Sequence, residues 1–142
     1  MLKGIDPIIS PDLLKILAEM GHGDELVIAD GNFPGASIAQ RLVRLDGHGV
    51  PPVLKAVLAL FPLDIYVDKP VSLMQVVPGD KVETPIWDTY AQILKASGEK
   101  FDGFENVERF AFYERARQAY AVVATSESAL YANIILKKGV VV

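Results

Sequence analysis

The sequence predicts an α/β fold: a single three-layer α/β/α domain, residues 1–142, with a mainly parallel or mixed central sheet. Three observations support this prediction. Short apolar runs alternate with segments whose apolar residues recur at helical spacing. The runs lack a polar face, which is typical of strands covered by helices on both sides. A length of 142 residues suffices for one domain with its own hydrophobic core.

The N-terminal half is expected to begin with a well-defined helix. Ser10 is the predicted N-cap, Pro11 occupies the first helical position, and Gly21 ends the helix. The apolar run after this glycine is short, so it is predicted to be a buried strand. The elements expected after the first helix are a strand at 26–29, a loop at 31–35, a strand or helix at 39–45, and a helix at 53–61.

The C-terminal half is expected to contain two helices and three strands. Thr84 is a predicted N-cap with Pro85 at the first helical position of a helix that reaches Ala96. The range 106–116 is expected to contain a second helical segment. The strands expected from β-branched and apolar composition are 71–77, 120–124 and 132–136.

Composition narrows the classes of function. The chain has no cysteine, which excludes disulfides and zinc–thiolate sites and fits a reducing compartment, so we expect the cytoplasm. Its net charge of −4 argues against nucleic acid or an anionic membrane as a partner. It also lacks an apolar run of membrane-spanning length and a signal-peptide core. Because 51% of its residues are hydrophobic, we expect a homo-oligomer that buries apolar surface between subunits.

Several familiar chemistries have no motif here. The sequence has neither a Gly-x-Gly-x-x-Gly nor a Walker-type phosphate loop, and no Gly-x-Ser-x-Gly elbow. No second histidine lies at metal-ligand spacing from His22. We therefore expect no metal and no cofactor, and chemistry that uses one imidazole with one or two carboxylates.

His22 is the candidate proton-transfer residue. It stands between Gly21 and Gly23, and the absence of side-chain bulk on both sides lets a ligand approach its ring. The alternative is structural: a histidine after a helix can cap the last carbonyl groups. His48 also follows a glycine and precedes one, but its surroundings indicate a surface turn.

Other polar residues occur at positions that favour binding. Asp30 ends an apolar strand, where α/β proteins bind ligands, although a turn aspartate is equally compatible with its place. Arg109 and Tyr113 are four residues apart and would share a helix face that suits a polyol. Tyr131 and Asn133 would point to the same side of a strand, where an asparagine needs a partner.

The motifs that carry these residues resemble a known family. They are Glu19-Met20-Gly21-His22-Gly23-Asp24-Glu25, Asp30 with Phe33-Pro34, the block from Arg109 to Ala116, and the block from Tyr131 to Val140. Together they are similar to the L-fucose mutarotase and D-ribose pyranase family, and the block at 109–116 is closer to the fucose branch. The resemblance spans nearly the whole chain.

The resemblance implies a small cofactor-free α/β subunit that assembles into rings, commonly decamers, with sugar sites near subunit contacts. It implies that His22 is the acid/base residue. It places the following residues around the sugar: Asp30, Arg109, Tyr131, Ala132 and Asn133. Tyr113 is added from its helical phase with Arg109, and Asp30 is expected either to orient the imidazole or to bind hydroxyls.

The reaction expected from the resemblance is the exchange of α and β anomers by acid/base ring opening, on L-fucose or a related sugar. Three alternatives remain open from the sequence. They are D-ribose pyranase activity, a sugar-binding module without catalysis, and a purely structural ring subunit.

Overall fold

The computed structural model describes residues 1–142, which form five helices and six strands. The helices are α1 (Pro11–Glu19), α2 (Gly35–Ile38), α3 (Val50–Leu58), α4 (Pro85–Ala96) and α5 (Arg109–Gln118). The strands are β1 (Glu25–Ala29), β2 (Leu42–Leu45), β3 (Val71–Met74), β4 (Glu105–Val107), β5 (Ala121–Thr125) and β6 (Ile134–Lys137). No helix is long and apolar enough to cross a lipid bilayer.

All six strands form one mixed sheet in the order β2-β5-β1-β6-β3-β4. β1 pairs in parallel with β5, and β6 runs antiparallel to both of its neighbours, β1 and β3. The remaining pairs, β2 with β5 and β3 with β4, are parallel. β6 is therefore the single strand that runs against the other five, which confirms the prediction of a mixed sheet.

Helices cover both faces of the sheet, as the apolar strands predict. On one face, α1, α3 and α4 enclose the larger cluster of 25 buried residues, which includes Leu26 and Ile28 of β1. On the other face, α2 and α5 enclose a smaller cluster of 10, which includes Val27 and Ala29. Successive residues of β1 thus enter opposite cores, and this explains why the strand has no polar side. The α/β/α architecture is confirmed.

Most element boundaries follow from local signals. The Ser10 hydroxyl accepts a hydrogen bond from the Leu13 amide at 3.2 Å, as its predicted role as N-cap of α1 requires. α4 has the predicted bounds, although the Thr84 side chain makes no capping hydrogen bond. The segment at 39–45, open between helix and strand, contains β2.

One prediction about the C-terminal third is confirmed and one is wrong. The helical segment expected within 106–116 is α5, which starts after Glu108, whereas 105–107 pair with β3 and form a short strand, β4, that the sequence did not predict. The Glu108 carboxylate accepts hydrogen bonds from two amides of the first turn and fixes that start. The strand predicted from residue 132 begins at Ile134, so Tyr131 and Asn133 precede it and do not follow strand alternation.

A glycine joins the end of the chain to the loop between α3 and β3. The Gly139 amide donates to the Pro62 carbonyl at 2.7 Å, and the Asp64 amide donates to the Lys137 carbonyl at 3.0 Å. A Cβ on Gly139 would overlap the Leu63 carbonyl oxygen and lie 2.9 Å from the Asp64 Cα. Only glycine permits this close approach, and the approach fixes the position of Asp64.

We predict that Gly139→Ala destabilises the protein, because the overlap is with backbone that cannot rotate away. The expected loss in the free energy of unfolding is about 1–3 kcal/mol, the usual range for overpacking. Urea denaturation followed by circular dichroism measures it. Gly21→Ala is the control, since its Cβ would meet only the Asp24 carboxylate at 3.7 Å. Equal stability of the two variants would contradict the role of Gly139.

Candidate functional site

A pocket of about 170 Å³ opens where β1 ends, on the sheet face covered by α2 and α5. Five of the residues predicted from the sequence line it: Asp30, Arg109, Tyr113, Tyr131 and Asn133. Asn32, Phe33, Met74, Val77 and Leu130 complete the lining. The pocket thus combines charged and amide groups with apolar and aromatic walls, a composition suited to a small polyhydroxylated ligand.

Asp30 and Asn133 meet because of the strand order. Asp30 follows β1, and Asn133 precedes β6, which runs antiparallel beside β1, so both residues lie at the same edge of the sheet. The Asp30 amide donates to Asn133 Oδ1 at 2.7 Å, and both residues are buried. This bond uses the amide oxygen of Asn133 and leaves its NH₂ group without a protein partner, available to a ligand.

The Asp30 carboxylate is held in a buried environment. Burial raises its pKa above the ordinary value, and the nearby charge of Glu127 acts in the same direction. The Asn32 amide donates to Asp30 Oδ1 at 3.0 Å and, with the backbone N–H groups of Ala132 and Phe33 nearby, opposes the pKa shift without cancelling it. A fixed carboxylate with a raised pKa is suited to accepting hydrogen bonds or a proton from a ligand hydroxyl.

The first turn of α5 supplies the cationic and aromatic wall. Arg109 and Tyr113 lie one turn apart, with the guanidinium 5.7 Å from the centre of the Tyr113 ring. Phe33 packs against Tyr113 with ring centres 5.7 Å apart. The helical phase predicted for these two α5 residues is therefore confirmed, and the rings offer an apolar surface next to hydrogen-bond donors.

The segment 131–133 is held in an unusual conformation by α4. Tyr131 has a φ of +54°, a left-handed conformation that is uncommon outside glycine. Its carbonyl accepts a hydrogen bond from the Trp87 indole at 2.8 Å, and the Ala132 carbonyl accepts one from the buried Tyr90 hydroxyl at 2.7 Å. Ala132 is itself fully buried and does not line the pocket, so its contribution comes from its backbone.

His22 lies elsewhere, at the opposite end of β1. The five residues of β1 make four steps of about 3.3 Å, which separate its two ends by roughly 13 Å, so His22 does not reach the pocket within one subunit. Its Nε2 lies 3.0 Å from Asp64 Oδ1, and its ring centre is 5.4 Å from that of Tyr66. The side chain is 44% exposed, so the imidazole remains accessible to a ligand or a second chain.

Two expectations about His22 are corrected here. The capping alternative fails because Lys138 Nζ binds the carbonyl oxygens of Leu17 and Met20 at the end of α1. The expectation that Asp30 orients the imidazole is also wrong within the subunit, because Asp64 takes that position. Within one subunit the Asp30 carboxylate faces the pocket, where it can accept hydrogen bonds from ligand hydroxyls.

Asp64 is an ionised partner for the imidazole. Burial raises its pKa, but the hydrogen bonds from the Tyr66 amide and from His22 outweigh burial, and the pKa is lowered overall. An ionised carboxylate at 3.0 Å fixes the ring orientation and favours a proton on Nε2.

Comparison with known proteins shows the family to which the chain belongs. Residues 3–141 match the RbsD / FucU transport protein family over nearly the whole chain. The chain belongs to this family. An L-fucose mutarotase of Actinobacillus pleuropneumoniae is 54% identical over 140 residues, which cover 99% of this chain and 97% of that protein.

Two solved structures of similar proteins resemble this RbsD / FucU family member closely. The fucose mutarotase of Streptococcus pneumoniae, in complex with L-fucose, is 54% identical with a TM-score of 0.94, covering 99% of this chain and all of that one. FucU from Bifidobacterium longum is 61% identical with a TM-score of 0.95 and the same coverage. The fold resemblance is thus confirmed at both the sequence and the structural level.

The sequence did not predict the residues of this RbsD / FucU chain that hold the site residues in place through hydrogen bonds. Asp64 is 42 positions from His22 and carries no local signal of the contact. Trp87 and Tyr90 belong to a helix on the other face of the sheet. Their only sequence signal is that a polar aromatic on a buried helix face needs a hydrogen-bond partner.

We predict that Asp64→Asn lowers stability at neutral pH by about 1.5–3 kcal/mol, the range for hydrogen bonds to a charged group. Folding lowers the pKa of Asp64 from 3.8, so the ionised carboxylate stabilises the fold above that pH. This contribution to stability is lost as the pH falls through the pKa of the folded state. The stability difference between wild type and variant should therefore shrink below about pH 4.

Urea denaturation between neutral and acidic pH measures this difference. Asp68→Asn is the control, because it removes an exposed carboxylate of the same loop. A difference between wild type and Asp64→Asn that persists unchanged into acid would contradict the assignment.

Proposed function

We propose that this protein is an L-fucose mutarotase, which interconverts the α and β anomers without a cofactor. The observation that carries the proposal is the pocket in which Asp30, Asn133 and Arg109 face an aromatic wall. The similarity to fucose mutarotases over the full chain supports L-fucose as the sugar. The cytoplasmic location expected from the cysteine-free composition stays a prediction.

The chemistry needs two proton transfers. A base takes the proton of the anomeric hydroxyl while an acid protonates the ring oxygen. The bond between C1 and the ring oxygen then breaks, and the open-chain aldehyde forms. Rotation about C1–C2 and closure with the reverse transfers give the other anomer. We assign His22 in its protonated form as the acid: Asp64 holds the Nε2 proton, and the accessible ring gives its Nδ1 proton to the ring oxygen.

The other predicted residues would hold the sugar. The Asp30 carboxylate accepts from hydroxyl groups, while Arg109 and the Asn133 NH₂ group donate to them. Tyr131 contributes its phenol, and Ala132 contributes the amide that fixes Asp30. The rings of Tyr113 and Phe33 lie against the C–H surface of the sugar.

We further propose that each complete site contains residues of two subunits. His22 and the pocket lie at opposite ends of β1, and both are flanked by exposed apolar residues. Those beside His22 are Ile65 and Tyr66, and those near the pocket are Val77, Phe110 and Leu130. A head-to-tail contact between these two surfaces would bring one subunit's imidazole to the next subunit's pocket. Contacts of this kind close into rings, which agrees with the ring assembly, commonly a decamer, that the resemblance implies.

We predict that His22→Ala reduces anomer exchange of L-fucose by about 10²–10⁴-fold, the usual contribution of positioned acid/base catalysis, without dissociating the oligomer. Saturation-transfer NMR measures exchange, and analytical ultracentrifugation measures assembly. His48→Ala is the control, because His48 is the other histidine with two glycine neighbours.

Three results would contradict this proposal. A wild-type rate in His22→Ala would remove His22 from the mechanism. Sugar binding by the wild-type protein without accelerated exchange would favour a non-catalytic binding module. Faster exchange of D-ribose than of L-fucose would favour a pyranase.

Mixed oligomers test the shared site. His22→Ala and Arg109→Ala should each be inactive, whereas subunits unfolded together and reassembled should regain activity. In a random mixture, about a quarter of the sites combine an intact pocket with an intact imidazole, if each site joins two subunits head to tail. Separately reassembled variants, mixed afterwards, are the control. Absence of recovery in verified mixed oligomers would contradict the two-subunit site.

A further inference from the structure

The Tyr131 phenol has two protein partners, both in the loop that follows β3. Its hydroxyl donates to Asp80 Oδ2 at 2.8 Å, and its oxygen accepts from the Val77 amide at 3.2 Å. Tyr131 and Asp80 are 51 positions apart in the sequence. Their hydrogen bond lies at the exposed surface, beside the mouth of the pocket.

These contacts determine where the hydroxyl proton points. A backbone N–H can only donate and an ionised carboxylate can only accept, so the Tyr131 proton has to point at Asp80. The phenol oxygen then keeps one lone pair that no protein group uses. Because the left-handed backbone at Tyr131 and the Trp87 indole fix the other end of the residue, the ring has little freedom to turn away.

We propose that Asp80 is a positioning residue that makes Tyr131 a pure hydrogen-bond acceptor toward the bound sugar. This inference rests on the proposed function, in which Tyr131 contacts the sugar. A phenol oxygen that can only accept selects a ligand that presents a hydroxyl proton at this point of the pocket. The hydrogen bond to Asp80 polarises this oxygen, to which the anomeric or a neighbouring hydroxyl of the sugar can donate.

A change at Asp80 should therefore act only through Tyr131. In Asp80→Asn the charged acceptor is lost: the neutral amide oxygen accepts more weakly than a carboxylate, and the amide NH₂ can donate to the phenol instead, so the Tyr131 proton is no longer held away from the pocket. We expect this variant to lose about tenfold in L-fucose affinity and exchange rate, as for a lost charge-assisted hydrogen bond. In a Tyr131→Phe background, Asp80→Asn should add less than about a twofold loss, since coupled residues are not additive.

The experiment is a double-mutant cycle of Asp80→Asn and Tyr131→Phe in the full-length oligomer. Calorimetric titration with L-fucose, saturation-transfer NMR and thermal unfolding are measured on each variant. Glu83→Gln is the matched control, because it makes the same charge change on an exposed side chain of the same loop. A loss in Asp80→Asn that vanishes in the Tyr131→Phe background, with an unchanged control, supports the proposal.

Two results overturn it. One is an Asp80→Asn variant that behaves like Glu83→Gln, and the other is an equal loss in both backgrounds, which a merely structural role in the loop would produce. An unchanged affinity in Tyr131→Phe overturns it together with the place of Tyr131 at the sugar. Exchange by the wild-type protein is read separately, so failure of the mutarotase function is distinguished from failure of this inference.

Discussion

The antiparallel pairing of β6 with β1 is the constraint on which both ends of the sheet depend. At one end it brings Asn133 to Asp30, and at the other it pairs Lys137 with Glu25 and brings Lys138 to the segment before β1. Lys137 in turn holds the Asp64 backbone, and Asp64 reaches His22. One strand pairing therefore builds a sugar-sized pocket and an accessible imidazole, and it also separates them.

The two carboxylates at these ends have opposite electrostatic environments. Burial dominates at Asp30 and raises its pKa, whereas hydrogen bonds dominate at Asp64 and lower it. Asp64 is thereby suited to remain a charged partner of the imidazole, and Asp30 is suited to accept a hydrogen bond or a proton from a ligand. Carboxylates of one chain thus acquire different roles from their surroundings alone.

Local signals explain what the sequence could predict. The apolar runs and the Ser-Pro and Thr-Pro pairs located most strands and helices, and the glycine pair singled out His22. The strand at 105–107 could not be predicted, because three residues are too few to show strand periodicity and it forms by pairing with β3. Asp64, Tyr90 and Asp80 act on residues that are distant in sequence, so their contacts follow only from the fold.

The left-handed backbone at Tyr131 has an evolutionary consequence. This conformation costs most residues with a side chain about 1–2 kcal/mol, whereas glycine adopts it freely. A glycine at position 131 would therefore remove this backbone strain. It would also remove the phenol. With Tyr131 in its proposed place at the sugar, selection for thermal robustness and selection for turnover favour different residues at this position.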